Sequence, residues 1–66
     1  MKVNKLKAKL VEQGKVYKDC TAEMHLSMQS FSNKVNGKVP FTCVEAEHLG
    51  NFLGMTDEEK IDIFLK

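Results

Sequence analysis

The sequence predicts an all-α domain of five short helices, and three observations carry that expectation. No stretch alternates apolar and polar residues at the period of two that a half-buried strand requires. Apolar residues recur instead three and four positions apart. Two Ser/Thr-x-x-Glu boxes, Thr42 to Glu45 and Thr56 to Glu59, mark helix starts, while Gly14, Asn36-Gly37 and Gly54 each follow a last periodic residue.

Taken in order, residues 4–13 set Leu6 and Leu10 one turn apart, with Val3 a turn earlier and Val11 alongside. Lys2, Lys5, Lys7 and Lys9 then fall around the wet side of an amphipathic helix, and Gly14 suits its left-handed C-cap. A second helix runs from Tyr17 to Met24, with Cys20 and Met24 as its apolar pair and Thr21 beside them. His25-Leu26-Ser27 forms a turn, and Ser27 stands where an N-cap hydroxyl accepts from a backbone N–H of the next helix. The third helix extends from Met28 to about Val35 and ends at Asn36-Gly37, residues that tolerate positive φ. Cys20, Met24, Leu26, Phe31 and Val35 have the spacing to close a small corner between two crossing helices.

Lys38-Val39-Pro40 is a short connector. The Thr42 box opens a fourth helix that runs through Leu53, with Phe41 stapled onto Ala46 and an apolar face of Ala46, Leu49, Phe52 and Leu53. The Thr56 box opens the fifth helix, in which α-helical spacing makes Ile61 and Leu65 share a face, with Phe64 flanking it and Ile63 pointing away.

A chain of 66 residues forms one domain, 1–66, close to the lower limit for a self-supporting core, which argues against an enzyme with a deep pocket. No apolar run approaches the roughly 20 residues of a membrane span, and the lysine-bearing N-terminus lacks the apolar segment of a signal peptide. Two cysteines inside helices, without a secretory signal, fit a reduced cytoplasmic setting. Charge is uneven along the chain. Residues 1–40 hold eight lysines against three acids, and residues 41–66 hold two lysines against six acids. A basic front with an acidic back is the pattern of a polyanion-binding domain with a solvated rear.

The third helix is the candidate contact surface. At about 100° per residue, Phe31 and Val35 share one face, and Met28, Gln29, Ser32, Asn33 and Asn36 cluster on another arc about 140° wide. Amide side chains dominate that arc and charge is nearly absent from it, a surface able to exchange paired hydrogen bonds with base edges.

The run from Tyr17 to Gly37 resembles the helix-turn-helix of the lambda-repressor-like family, the short Cro-type and repressor-type phage regulators. The likeness lies in the apolar residue and cap Leu26-Ser27, in Phe31 within the third helix, and in the closing Asn36-Gly37. Gly54 after LGNFL and the TDEEK opening of the last helix extend it over most of the chain. The resemblance implies a lambda-repressor-like DNA-binding domain whose third helix lies in the major groove of double-stranded operator DNA. It places Met28, Gln29, Ser32 and Asn33 on base edges, and Tyr17, Lys18, Ser27, Asn36 and Lys38 on phosphates. Gln29 and Asn33 each suit adenine, and Met28 suits a thymine methyl.

The chain departs from the family pattern at three points. His25 stands where glycine is usual, Thr21 stands where alanine is usual, and there is no arginine, the commonest reader of guanine. The implied function is a Cro-like transcriptional regulator in the bacterial cytoplasm that blocks a promoter sterically. The alternative is an antirepressor or repressor-binding protein on the same fold that does not read bases. A domain with one recognition helix commonly binds adjacent half-sites as a dimer, and Ile63, Phe64 and Leu65 are the candidate two-fold contact. No cofactor or small-molecule ligand is expected. Cys20-x4-His25 and Cys43-x4-His48 supply the ligand count of a tetrahedral zinc. However, the spacing within each pair puts its ligands about 140° apart on a helix, so a metal site is not expected. No third group is in view to orient a catalytic Cys/His pair.

Overall fold

Leu6 and Leu10 face inward from the first helix because residues one turn apart on a helix share a stripe, and burying that stripe is what holds so short a helix. A computed structural model describes all 66 residues, Met1–Lys66. It contains α1 (Val3–Glu12), α2 (Tyr17–Met24), α3 (Met28–Val35), α4 (Cys43–Phe52) and α5 (Asp57–Lys60), the last continuing without a break into a π-helical segment, Ile61–Leu65. The all-α, five-helix expectation holds, with boundaries within a residue or so of those read from spacing. No helix is long and apolar enough to cross a membrane.

The core is Leu6, Leu10, Cys20, Phe31, Val35, Leu49, Leu53, Met55 and Ile63, with Met24, Leu26 and Phe52 partly buried against it. An edge-on aromatic series ties the elements together. Tyr17 of α2 meets Phe31 of α3 at 5.2 Å between centroids, Phe31 meets Phe41 of the connector at 6.3 Å, and Phe41 meets Phe64 at 5.6 Å. Phe31, fully buried at the middle of that series, contributes about 1.5–3 kcal/mol by burial alone.

Caps fix the helix starts. Ser27, Thr42 and Thr56 each accept from the N–H three residues on, and Glu45 and Glu59 reach back to the N–H of Thr42 and Thr56, completing both expected boxes. Val16, the N-cap of α2, has no side-chain acceptor, so α2 has half a box: Asp19 accepts from the Val16 N–H at 3.0 Å. Between α4 and α5, the aliphatic stem of Lys60 lies so close to Gly50 that a Cβ there would sit 2.8 Å from its Cγ. The Lys60 ammonium then reaches Glu47 and Asn51 on α4.

Two expectations are corrected. The last turn is π-helical, with hydrogen bonds running i→i+5, and at that spacing Ile61 and Leu65 still share one face with Ile63 opposite, but it is the Ile63 face that turns inward. Ile63, expected to point away, is buried, while Ile61 and Leu65 are exposed. The Lys2 N–H donates to the Ile63 carbonyl at 2.8 Å and locks this segment onto the start of α1. The proposed two-fold contact therefore loses Ile63 to the core and half of Phe64 to Phe41, leaving Leu65 exposed.

The second correction concerns charge. The basic front and acidic back pair with each other across the surface of the fold. Asp62 accepts from Lys2 at 2.6 Å and Lys5 at 2.7 Å, Lys9 bridges Glu59 and Glu12, and Lys34 is held by Glu45 at 2.7 Å. Lys9, expected on the wet side of α1, is largely covered, whereas Val11 is open to solvent.

Candidate nucleic-acid interface

The corner between α2 and α3 positions every residue of the expected contact arc. At its turn His25 adopts φ 55° and ψ 41°, the left-handed conformation, and is the one non-glycine residue of the chain with positive φ. Gly14, Gly37 and Gly54 occupy that region elsewhere. Histidine thus takes a left-handed backbone conformation that glycine adopts more readily. The His25 and Leu26 N–H groups both donate to the Thr21 carbonyl, closing α2. Thr21 is half-buried, and its hydroxyl donates to the Lys18 carbonyl at 3.0 Å, so its extra polar atom is satisfied within α2.

On α3, Phe31 and Val35 are fully buried, and Met28 and Gln29 are exposed with Ser32 and Asn33 half-exposed. The expected division into a core face and an uncharged, solvent-facing arc is present. Gln29 Nε2 donates to Asn33 Oδ1 at 3.2 Å. Asn36 Nδ2 donates to the Ser32 carbonyl at 2.8 Å and lies 3.4 Å from the Ser32 hydroxyl. Ser27 caps the helix through its acceptor, which leaves the hydroxyl hydrogen available. Tyr17 packs edge-on against Phe31 and remains half-buried.

The lysines near this arc differ from those behind it. Lys18 opens α2, and the backbone N–H of Lys38 donates to the Asn33 carbonyl at 2.9 Å, which places Lys38 at the foot of α3. Lys7 of α1 donates to Asn36 Oδ1 at 2.8 Å. None of these three has a carboxylate partner, whereas Lys34, on the side of α3 toward α4, does. The Lys34 ammonium, with the Thr42 backbone behind it, holds the Glu45 carboxyl below its usual range. Lys7 is the member of the site that spacing singled out least, since it was one lysine in a row of four. Only tertiary proximity to Asn36 separates it from its neighbours.

The Cys/His pairs do not form a site. Cys20 is in the core, where burial pushes its thiol up to about 11, while Cys43 is exposed at the start of α4. His48 lies 2.9 Å from Glu23 and links α4 to α2. No three His, Cys, Asp or Glu side chains gather closely enough to hold a metal ion.

Compared with protein-family models, with curated proteins and with solved structures, this chain matches none.

Proposed function

We propose that this chain is a sequence-specific, double-stranded-DNA-binding transcriptional regulator, a lambda-repressor-like, Cro-type domain with a helix-turn-helix at α2 and α3. α3 enters the major groove and the bound protein blocks a promoter sterically. One observation carries the reading: α3 buries Phe31 and Val35 while presenting Met28, Gln29, Ser32 and Asn33, and the flanking Lys7, Lys18 and Lys38 are free of acid partners. Uncharged amides beside unpaired cations are what base readout between two phosphate backbones requires. Met28, Gln29, Ser32 and Asn33 meet base edges. Tyr17, Lys18, Ser27, Lys38 and the remaining N–H of Asn36 meet phosphates, joined by Lys7, which donates to the Asn36 Oδ1 and stands beside it.

The test is duplex binding at increasing salt, together with selection of bound sequences from random duplexes. Affinity should fall steeply, with a log–log slope of about −0.9 per phosphate neutralised, and one sequence should be enriched. Salt-independent binding, or none, overturns the reading.

A second copy on an adjacent half-site is the natural protein partner, and the surface for it is the groove lined by Val39, Phe41, Cys43, Ala46, Phe64 and Leu65. The same groove favours a second reading, an antirepressor or repressor-binding protein on this fold that does not read bases. Salt-dependent, sequence-selective binding to DNA separates the two.

A further inference from the structure

Gln29 and Asn33 stand one turn apart on the open side of α3 and are joined by a hydrogen bond from Gln29 Nε2 to Asn33 Oδ1 at 3.2 Å. A primary amide carries two N–H donors and a carbonyl oxygen with two acceptor sites. The bond takes one donor from Gln29 and one acceptor site from Asn33. Gln29 is left with its whole carbonyl and one N–H, an acceptor and a donor on one planar group. Asn33 is left with both N–H donors and a half-occupied carbonyl, so its free end is predominantly donating.

Asn33 is also anchored from behind. Its backbone carbonyl accepts from the Lys38 N–H at 2.9 Å and the Val39 N–H at 3.3 Å, which fixes the end of α3 under it. The next amide along the arc is spent differently. Asn36 accepts from Lys7 at 2.8 Å and donates to the Ser32 carbonyl at 2.8 Å, so both its ends are engaged within the chain. Gln29 and Asn33 are therefore the two amides within α3 whose bond to each other leaves free groups of complementary kind, whereas Asn36, at the C-cap, is tied to Lys7 and Ser32.

We infer that Gln29 and Asn33 read DNA as one coupled unit, Gln29 selecting adenine and Asn33 selecting a base whose major-groove edge is rich in acceptors. Adenine offers an N7 acceptor and an N6 donor, which match the free N–H and carbonyl of Gln29. Guanine offers N7 and O6, and thymine offers O4, each matching the donors of Asn33. The inference rests on α3 being the base-reading helix, and it adds that Gln29 is held in its reading orientation by the Asn33 carbonyl. An i, i+4 amide pair is weak on an open helix surface, so its loss leaves folding intact, and it strengthens where bound DNA excludes water, so it acts on the orientation of Gln29 in the complex.

Selection from random duplex DNA on the full chain, comparing wild type with Asn33→Asp, Asn33→Ala and Gln29→Ala, tests this. Aspartate keeps an acceptor for Gln29 but has no donors. Asn33→Asp should lose the guanine or thymine preference and keep the adenine preference within about 3-fold. Asn33→Ala removes the acceptor as well, and should weaken the adenine preference by about 10-fold, although residue 29 is untouched. In a double-mutant comparison, Gln29→Ala and Asn33→Ala should be clearly non-additive at the adenine position. If Asn33→Ala alters only its own base position, as Asn33→Asp does, the two residues read independently and the coupling is overturned while base reading by α3 stands. If wild type enriches no sequence at all, the base-reading role of α3 falls and the inference falls with it.

Discussion

On α1, Lys5 and Lys9 end on carboxylates of the C-terminal segment, as does Lys2 just before the helix, whereas Lys7 ends on the Asn36 amide at the foot of α3. Four lysines that look alike in the sequence belong to two regions. One is a seam between the chain's two ends, where Lys2, Lys5 and Lys9 each meet an acid and the Lys2 N–H bonds the Ile63 carbonyl. The other is the α2–α3 corner, where uncharged amides cover the surface and Lys7, Lys18 and Lys38 stand without acid partners. Charge counted along a chain is thus a poor guide to charge available for binding. The seam consumes in ion pairs much of the surplus that the front half carries, and of what remains Lys7, Lys18 and Lys38 lie around the corner while Lys15 lies over the Phe52 ring. Surface ion pairs of this kind are worth little in stability, typically about 0–1 kcal/mol each, so the seam's larger effect is on where free charge is found.

The largest expected effect breaks this comparison directly. Replacing Lys7, Lys18 and Lys38 together by glutamine should weaken duplex binding on the order of 100-fold at moderate salt and reduce the log–log salt slope by about 2–3. Replacing Lys2, Lys5 and Lys9 should leave affinity within about 3-fold. Titration of labelled duplex at several salt concentrations reads both. Equal losses from the two triples would show that the ion pairs open on binding, and that both regions present their charge to DNA.

How much of this was legible in the sequence follows the range of each interaction. Caps and stops act within four residues, so Ser27, Thr42, Thr56, Gly14 and Gly54 located the helices, and 3.6-residue spacing separated Phe31 and Val35 from Gln29 and Asn33. Contacts that cross the chain were not legible. The meeting of Asp62 with Lys2 and Lys5 spans nearly the whole sequence, and Met55, a loop residue, enters the core from outside any periodic stripe. The helical wheel grouped Ile61 with Leu65 and set Ile63 opposite, but which of those faces turns inward is decided by packing against the start of α1, where the Lys2 N–H holds the Ile63 carbonyl. His25 lies between these cases. Its position after Met24 marks a helix end, but whether a histidine there adopts positive φ depends on the corner that α3 imposes.

That dependence gives an intermediate effect within the corner itself. A non-glycine residue in the left-handed region costs about 1–2 kcal/mol, lessened for histidine and partly offset by glycine's greater freedom in the unfolded chain. His25→Gly should therefore stabilise the domain by roughly 0.5–1 kcal/mol, raising the melting temperature by roughly 2–8 °C, without changing which sequence is selected. Thermal unfolding followed by far-ultraviolet circular dichroism measures it. Destabilisation would mean that the imidazole makes a compensating contact at the corner.

The smallest effect belongs to the seam and carries a pH signature. Hydrogen bonds from Lys2 and then Lys5 hold the Asp62 carboxyl at about 2, below its ordinary 3.8. A carboxyl depressed in the folded state stabilises the fold above its unfolded value, and that contribution disappears as pH falls through the folded one. The difference in stability between wild type and Asp62→Asn should therefore be constant near neutrality, shrink from about pH 4 downward, and vanish near pH 2. Urea unfolding at a series of pH values would show it, and high salt should reduce it because the pairs are partly exposed. The same variant releases Lys2 and Lys5 from their partner. If the seam faces away from bound DNA, their release should leave duplex affinity within about 3-fold of wild type. A clear gain in affinity would place the seam beside the phosphates, and Asp62 would then be the residue that keeps two further lysines off the DNA.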